Sequence, residues 1–361
     1  MIPHLYVHIP FCPKVCPYCS FYKEASDRHK TRDFLDALLR EAEIHASKLK
    51  PETVFFGGGT PTALSTPHLQ DLIVGLKERI DFSEVREFTV EMNPATVSLE
   101  KATVLRALGV NRVSMGVQSW DSELLATLGR VHTAHQARRS YEILRAAGFD
   151  NINLDLIFGV PGQSREVWRA TLRETVALEP NHISAYCLTY EEDTEYFARF
   201  SRSEYRSDPS LEADLFETTI DMLESAGFCQ YEISNYSRAG RECSHNLAYW
   251  LGADFIGLGP SAFSSSSKDR WKNISNTAAY IAAIEAGCDP ADFREALSDR
   301  ARQGECIAFS LRTNRGVAVD LLPKTQAEEF AAAGLLVSDG RQWQLTRKGR
   351  LLADSVAEAF I

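Results

Sequence analysis

The chain has no apolar run approaching the ~18 residues that a membrane-spanning helix needs. Its N-terminus lacks a basic region followed by an apolar stretch, which argues against a signal peptide. Acidic residues outnumber basic ones by 49 to 39 and give a net charge of -10, so no broad contact with nucleic acid is expected. These absences predict a cytoplasmic protein, and 361 residues supply ample material for a core.

Cysteine is also scarce. The eight cysteines are too few and too scattered for a disulfide framework in a chain of this size. Four of them stand alone in apolar surroundings, and we expect them to be buried as small hydrophobic residues: Cys187, Cys229, Cys288 and Cys306.

Three further cysteines lie close together near the N-terminus. Cys12, Cys16 and Cys19 have the spacing C-x3-C-x2-C, with no fourth cysteine nearby. An iron–sulfur cubane normally has four thiolate ligands, so three would leave one iron open to bind another molecule. Zinc would need a fourth ligand such as His8, and a C-x2-C redox pair would leave Cys12 unexplained. The spacing therefore favours a three-cysteine cluster.

Strand-like and helix-like segments alternate through the first 200 residues. The predicted strands are residues 5–9, 53–56, 87–91, 112–118, 151–158 and 182–189, and they are short, apolar and rich in β-branched residues. Helical spacing lies between them, for example over residues 34–48, 69–80, 99–108 and 166–178. This rhythm predicts an α/β protein with a parallel sheet, either open and doubly wound or curled into a barrel. In both architectures, ligands bind at the carboxyl ends of the strands.

The pattern changes after residue 208. A helix is predicted over 211–226, a Gly- and Ser-rich polar region follows, and 261–267 is predicted to be a loop. A helix over 326–333, a hairpin over 335–345 and a last helix over 349–360 predict a C-terminal α+β, winged-helix-like module. We therefore expect a core barrel over residues 1–237, a connecting segment over 238–290 and the C-terminal module over 291–361.

A glycine run follows the second predicted strand. Gly57, Gly58 and Gly59 precede Thr60, and such a run lets the backbone approach a ligand and expose its N–H groups. A simple turn from strand to helix would use the same residues. Because the glycine run lies at the predicted ligand end of the sheet, a binding role is favoured.

Polar side chains also interrupt apolar strands at Glu91, Gln118 and Asp155. A buried carboxylate is costly unless it is paired. Arg130 could pair with Asp155 or with the carboxylate of a ligand, and the sequence alone leaves both open.

These residues together resemble the radical S-adenosylmethionine superfamily, which has the same cysteine spacing, a Tyr at the position of Tyr18 and the glycine run. The resemblance implies a partial (β/α)6 barrel. It also implies a [4Fe–4S] cluster whose open iron is chelated by the amine and carboxylate of S-adenosylmethionine. An electron donor would reduce this cluster, and cleavage of the sulfonium would release a 5′-deoxyadenosyl radical.

Motifs between residues 4 and 270 are similar to the oxygen-independent coproporphyrinogen III oxidase group. The resemblance implies these contacts to S-adenosylmethionine: Tyr6, Tyr18, Ser20, Gly58, Gly59, Thr60, Glu91, Gln118, Arg130 and Asp155. Of these, Gln118, Arg130 and Asp155 would line the substrate side, where the oxidase holds a second S-adenosylmethionine.

The sequence departs from the oxidase at one position and has one additional motif. The oxidase has a further cysteine two residues after the third ligand, where this chain has Phe21. That is the pattern of the HemW-type heme chaperones, and residues 245–250 match their H-N-x-x-Y-W motif. The resemblance implies heme ligation by His245, with aromatic rings stacked on the macrocycle. Cys243 could ligate or attach heme, although a buried cysteine is the simpler interpretation.

The resemblance therefore predicts a chaperone that binds heme and passes it to acceptor proteins. The alternative is oxygen-independent coproporphyrinogen III dehydrogenase, which converts two propionate side chains to vinyl groups, and Phe21 argues against it. A third interpretation is a heme-utilisation enzyme that opens the porphyrin by radical methyl transfer. Physiological cleavage of S-adenosylmethionine, peripheral membrane contact, a homodimer and covalent heme attachment are left open.

Overall fold

Six parallel strands form the centre of the protein in the computed structural model, which describes residues 1–26 and 28–361. The strands are β1 (Ile2–Ile9), β2 (Leu49–Gly58), β3 (Glu87–Met92), β4 (Arg112–Gln118), β5 (Asn151–Phe158) and β6 (His182–Cys187). They lie side by side in chain order, and each neighbouring pair is parallel. The α/β class and the six predicted strands are confirmed, and the arrangement is consistent with a partial barrel.

Helices lie between these strands and after the last of them. They are α1 (Arg28–His45), α2 (Thr66–Arg79), α3 (Leu99–Ala107), α4 (Ser122–Thr127), α5 (Ala134–Ala146), α6 (Arg165–Ala177), α7 (Glu195–Ser201) and α8 (Pro209–Ser225). Single 3-10 turns lie at Ala46–Lys48, Pro61–Ala63 and Pro94–Thr96. Each of α2 to α8 begins after a Ser, Thr or Asp whose side chain accepts a free backbone N–H of the first turn.

The barrel strands alternate between an apolar and a polar face. Outward side chains such as Val7, Phe56 and Leu154 are fully buried under the helices. The inward row is largely polar: His4, Tyr6, His8, Thr53, Glu87, Glu91, Arg112, Ser114, Asn153, Asp155, His182 and Ser184. Because successive side chains point to opposite faces of a strand, the polar residues in these segments share one side. The interior of the barrel is therefore a polar chamber.

Three short strands extend this sheet. β7 (Cys229–Gln230) and β8 (Asn235–Ser237) lie beyond β6, with β8 antiparallel to it, and β9 (Ile256–Leu258) is parallel to β1. The full order is β9-β1-β2-β3-β4-β5-β6-β8-β7. Between β8 and β9 comes α9 (Ser244–Trp250). The segment after residue 237 thus supplies a strand to the barrel sheet.

A second sheet contains β10 (Phe263–Ser266), β11 (Asp269–Asn273) and β12 (Ala291–Ala296), all antiparallel, with α10 (Thr277–Glu285) before β12. The prediction of a loop over 261–267 is therefore wrong for 263–266. Serine is common in loops, but here Ser264 is buried and its hydroxyl accepts the backbone N–H of Gly257 at 2.9 Å. This tertiary contact outweighs the weak strand propensity of serine.

The C-terminal part has its own apolar core, which includes Leu311, Leu322, Leu336 and Phe360. Its elements are α11 (Asp299–Leu311), β13 (Val317–Ala318), α12 (Lys324–Ala332), β14 (Leu336–Ser338), β15 (Gln342–Leu345), α13 (Arg347–Leu351) and α14 (Ala353–Glu358). The single last helix that the sequence predicted is wrong, because Leu352 leaves the helical conformation with φ -118° and ψ 25°. The division at residues 237 and 290 stays a prediction.

The burial predicted for the scattered cysteines is wrong at two positions. Cys229 and Cys288 are exposed, while Cys187 and Cys306 are half-buried. Cys229 lies on the two-residue strand β7 at the edge of the sheet. Apolar neighbours in the sequence did not determine which way its side chain points.

Candidate functional site

The three clustered cysteines lie on the loop that follows β1. The segment Phe11–Cys12 pairs with Glu24–Ala25 and closes this loop at its base. All three thiols are half-buried, and burial raises the pKa of Cys12 and of Cys19. The Thr60 hydroxyl lies 3.6 Å from Sγ of Cys12, and an Arg130 N–H donates to Sγ of Cys16 at 3.6 Å.

In the described part of the chain, no group of three His, Cys, Asp or Glu side chains has the compact arrangement that one metal ion requires. A cubane differs from a single ion because each cysteine ligates a different iron. His8, the candidate fourth zinc ligand, shares a hydrogen bond with the Tyr22 carbonyl through Nε2 and with Tyr6 through Nδ1. Three thiolates on one loop, close to a guanidinium and a hydroxyl, fit an anionic cluster.

The glycine run lies between the cysteine loop and the barrel interior. A Cβ at Gly58, where φ is +102°, would stand 2.4 Å from the His8 ring, and a Cβ at Gly59 would stand 2.6 Å from the Pro10 carbonyl. A Cβ at Gly57 would lie 3.1 Å from the Glu91 carboxyl. Side chains are excluded here because the backbone passes so close to its neighbours. Contacts within the protein therefore require glycine at these positions, and the predicted approach of the backbone to a ligand stays a prediction.

Glu91 lies at the carboxyl end of β3, beside this run. Burial, and then the negative charge of Asp155, raise its pKa to about 8. The N–H of Gly58 donates to its carboxylate and opposes this shift. Tyr6 lies nearby, and burial raises the pKa of its phenol. A carboxyl group in such a position is suited to a cationic partner, which would restore its ordinary ionisation.

Gln118 and Arg130 supply polar atoms without partners. Gln118 has φ +67°, a left-handed conformation that is unusual for glutamine, and within the described residues its Oε1 is buried with no hydrogen-bond partner. Arg130 donates to the Gly116 carbonyl at 2.8 Å, and its Nε is likewise buried and unpaired within the described residues. Unpaired buried polar atoms are costly, so these groups fit a site that a polar ligand completes.

Asp155 is hydrogen-bonded to residues other than Arg130. Among the described residues, no ion pair between Asp155 and Arg130 is found. Its carboxylate accepts from the hydroxyl of Ser114 at 3.1 Å and from the amide of Asn153 at 2.7 Å. Burial raises its pKa. Asp155 is therefore held inside the barrel by neutral donors.

The remaining predicted contacts lie on the cysteine loop. Tyr18 is half-buried, with its ring edge-on to Tyr196 at 6.1 Å between centroids, and burial raises the pKa of its phenol. Ser20 and the neighbouring Phe21 are exposed, Phe21 with 68% of its surface accessible. The structure thus gathers most predicted residues at the carboxyl ends of β1 to β5 and leaves Ser20 on the outside of the loop.

His245 lies away from this group, on α9 against the amino-terminal half of the barrel. It is buried, with its ring stacked on Phe55 at 5.2 Å between centroids. Its Nδ1 is 2.7 Å from the Thr53 hydroxyl and its Nε2 is 2.9 Å from the Tyr249 hydroxyl. Burial lowers its pKa to about 3, so the ring is neutral at physiological pH with both nitrogens hydrogen-bonded.

Glu87 fixes the start of α9. Its carboxylate accepts the backbone N–H groups of Ser244 at 2.8 Å and of His245 at 3.0 Å, and the Cys243 thiol at 3.5 Å. Burial raises the pKa of Cys243 to about 12, so it is the buried thiol that the simpler interpretation predicted. Sequence reasoning named Glu87 only as the start of a strand, and its capping role depends on a helix 157 residues away.

Two other histidines, His132 and His135, lie outside the groups described above. His132 is buried and its Nε2 lies 3.1 Å from the Val117 carbonyl. His135 is exposed in the first turn of α5. Neither lies among the residues of the cysteine loop or of α9.

A cavity of about 290 Å³ opens beside α9, and sequence reasoning missed most of it. It is lined by Tyr186, Glu232, Ser234, Asn235, Asn246, Tyr249, Trp250 and Phe309. Four of these eight residues are aromatic, as is usual for sites that bind flat apolar molecules. Phe309 comes from α11 in the C-terminal part, and nothing in the sequence near it marked it as a site residue.

A three-cysteine loop at the carboxyl end of a partial parallel barrel, with a glycine cradle and a buried acid beside it, defines the class of the protein. The family model of the radical SAM superfamily matches residues 6–175. The chain is thus a radical SAM protein, and that superfamily uses a [4Fe–4S] cluster with S-adenosylmethionine.

Full-length relatives define the family more narrowly. The chain is 34% identical to the heme chaperone HemW of Escherichia coli (strain K12), over 99% of this chain and 97% of that protein. It is 34% identical to the heme chaperone HemW of Bacillus subtilis (strain 168), over 99% of this chain and 98% of that protein. The chain therefore belongs to the family of HemW heme chaperones.

A solved structure shares the fold over nearly the whole chain. The coproporphyrinogen III oxidase HemN of Escherichia coli, a radical SAM enzyme, superimposes with a TM-score of 0.86 at 25% sequence identity. The match covers 99% of this chain and 90% of that one. Among the described residues, none of the helices has the length and apolar character that a membrane span requires.

Proposed function

We propose that the protein is a heme chaperone, which binds heme and transfers it to acceptor proteins. The observation that carries the proposal is the position of α9. This helix contains the H-N-x-x-Y-W residues and forms one wall of an aromatic cavity, with Tyr249 and Trp250 lining the space and His245 directly behind Tyr249. Heme is a flat apolar ring with an iron that imidazole ligates well, and these are the groups it would require.

The carboxyl end of the barrel would hold the cofactors. Cys12, Cys16 and Cys19 would bind a [4Fe–4S] cluster, which an electron donor would reduce. The glycine run with Thr60 would hold the methionine part of S-adenosylmethionine through backbone groups, and Glu91 with Tyr6 would accept hydrogen bonds from its amino group. The other residues assigned to S-adenosylmethionine are Tyr18, Ser20, Gln118, Arg130 and Asp155. The unpaired polar atoms of Gln118 and Arg130 support their part in this assignment.

His245 would be the axial ligand of heme. Its neutral ring satisfies the electronic requirement, since an imidazole must be unprotonated at the nitrogen that binds iron. Cys243 has its thiol directed to Glu87, so we propose ligation without covalent attachment to that cysteine. Because no described helix is long and apolar enough to span a membrane, any delivery to a membrane-bound acceptor would involve peripheral contact.

The proposal is tested by heme titration of the anaerobically reconstituted protein, followed by mixing with a heme-free acceptor. Wild-type protein should bind heme stoichiometrically and release it to the acceptor. His245→Ala should lose stable heme binding and retain the absorption of the iron–sulfur cluster. Unchanged heme binding in this variant would remove His245 from the assignment, and absence of heme binding in the wild type would contradict the proposal itself.

The second candidate is oxygen-independent coproporphyrinogen III dehydrogenase, which the similarity of fold to the oxidase favours. Phe21 is the observation against it, because the oxidase has a cysteine there. The two are separated by incubating the reconstituted protein with coproporphyrinogen, S-adenosylmethionine and a reductant. Formation of protoporphyrinogen would establish the oxidase and overturn our preference.

A further inference from the structure

The cavity beside α9 is formed by two parts of the chain that are distant in sequence. Trp250 of α9 and Phe309 of α11 meet edge-on, with 6.0 Å between ring centroids. The Arg312 guanidinium stands 5.6 Å from the Trp250 ring at the rim and pairs with Asp354. The cavity also contains the Glu232 carboxyl group. Its aromatic walls match the apolar ring of a porphyrin, and Arg312 beside Trp250 is the cation that a propionate would pair with.

Tyr249 separates this space from His245. Its ring lines the cavity, and its hydroxyl lies 2.9 Å from Nε2 of His245. The ring also packs against Phe255 at 4.4 Å between centroids. The imidazole and the cavity are therefore neighbours, and the Tyr249 phenol occupies the position that an iron would need.

The other nitrogen of His245 is held by a chain of hydrogen bonds. Nδ1 is 2.7 Å from the Thr53 hydroxyl, which is itself 2.9 Å from Nδ1 of His4. Two opposite assignments of protons satisfy every contact. Iron binding requires the one in which His245 donates through Nδ1 to Thr53, Thr53 donates to His4, and Tyr249 donates to Nε2 of His245. In this assignment the lone pair of Nε2 is directed at Tyr249 and the cavity. Ligating histidines commonly donate their second nitrogen in this way.

We propose that the porphyrin of heme binds in the cavity against the wall that Trp250 and Phe309 form, and that Tyr249 is the cap that must leave His245 Nε2 before iron binds. Thr53 then acts as a positioning residue that keeps the proton on Nδ1. The proposal rests on the heme chaperone function proposed above. The cavity of about 290 Å³ is at the small end of ligand pockets, ~300 Å³ and upward, and outward rotation of Tyr249 would enlarge it.

Two substitutions in the full-length reconstituted protein separately test Tyr249 as the cap and Phe309 as part of the wall that binds the porphyrin. Tyr249→Phe keeps the ring and removes the hydroxyl, so heme should bind about threefold to tenfold faster and tighter, the range set by one neutral hydrogen bond. Phe309→Ala removes one wall, so heme affinity should fall about tenfold or more. The readouts are the dissociation constant, the association rate and the heme difference spectrum, which should keep the signature of imidazole ligation in both variants.

Matched controls distinguish these effects from general damage. Tyr141→Phe also removes a buried phenol hydroxyl, one that has no partner within the described residues, and it should bind heme as the wild type does. Phe330→Ala removes a ring that packs on Phe360 in the core of the C-terminal part, away from the cavity. It should lower the melting temperature without the loss of heme affinity. If Phe330→Ala lost as much heme affinity as Phe309→Ala, the assignment of Phe309 to the porphyrin-binding wall would be refuted.

Two further outcomes decide the proposal. Tyr249→Phe with wild-type or lower heme affinity and rate would show that the phenol is no cap. If Tyr249→Phe does not fold, the ultraviolet resonance Raman signals of tyrosine are measured in the wild type instead. These signals should change when heme is added, because the Tyr249 hydroxyl leaves His245. Unchanged spectra would refute the replacement of Tyr249 by iron. A wild-type protein without heme binding would instead contradict the proposed function, so the two failures are distinguishable.

Discussion

Replacing Glu91 by glutamine should stabilise the fold and at the same time weaken binding of S-adenosylmethionine. Burial, and then Asp155, raise the pKa of Glu91 from 4.5 to about 8. The carboxyl group is ionised in the unfolded chain above about pH 4.5, whereas the native protein retains its proton until about pH 8. Native structure is therefore penalised as the pH rises between these two values.

The size of the effect follows from the pKa difference. Each unit of pH between the two pKa values costs the native state about 1.4 kcal/mol, so the upper limit at neutral pH is about 3 kcal/mol. The cost is absent below the unfolded pKa and complete above the native one. The Glu91→Gln variant would carry no such cost, because an amide does not ionise and keeps a similar shape.

Urea unfolding of both proteins across this pH range measures the difference. The free energy of unfolding of Glu91→Gln should exceed that of the wild type by an amount that grows with pH. Affinity for S-adenosylmethionine should fall about tenfold or more, since its amino group loses a hydrogen bond to a charged acceptor. Glu142→Gln, a change of an exposed residue on α5, is the control. Parallel stability curves for wild type and Glu91→Gln would refute the argument.

Three other substitutions test separate parts of the structure. Glu87→Gln should weaken the cap of α9 by about 1.5 kcal/mol, since charged acceptors are stronger, and amide exchange should accelerate about tenfold in α9 but not in α5; equal protection would contradict the cap. Gln118→Gly should raise the free energy of unfolding by about 1 kcal/mol by relieving the left-handed backbone, and destabilisation in denaturant melts would indicate that side-chain contacts dominate. Cys16→Ser should lose bound iron, with Cys288→Ser, an exposed cysteine, as control; wild-type iron content in Cys16→Ser would exclude it as a ligand.

The alternation of strands and helices was sufficient to predict the barrel. All six parallel strands were found because short β-branched segments regularly separate amphipathic helices. The same segments were interpreted as apolar, and the structure shows an inward polar row instead. Each polar residue is isolated in the sequence, and only the shared curvature of the sheet brings His4, Thr53 and Glu87 to one side.

Errors in the fold came from places where tertiary contacts outweigh local preference. The serines at 264–266 are a strand because Ser264 is buried against Gly257 of β9. The last helix divides at Leu352, where the conformation changes without any proline or glycine to mark it. Such boundaries depend on what packs against the segment, which local propensity does not encode.

For the proposed cofactor site, the sequence by itself determined the types and spacing of the residues from which the chemistry was predicted. Cys12, Cys16 and Cys19 are close in the chain, as are the three glycines, so their geometry is local and readable from spacing. Glu91, Gln118 and Asp155 stood out because a polar group in an apolar strand needs a reason. Only the tertiary structure decided that Arg130 contacts Cys16 and Gly116 rather than Asp155.

For the proposed heme site, the division is different. The motif at residues 245–250 marked the helix, but the fold alone showed that His245 is closed behind Tyr249 and held by Thr53, 192 residues earlier. Phe309 joins the cavity from another part of the chain. Burial and hydrogen-bond partners are properties of packing between distant segments, whereas residue type and spacing are properties of the chain. The sequence therefore specified which side chains could ligate a metal or cofactor, and tertiary packing decided which of them are accessible.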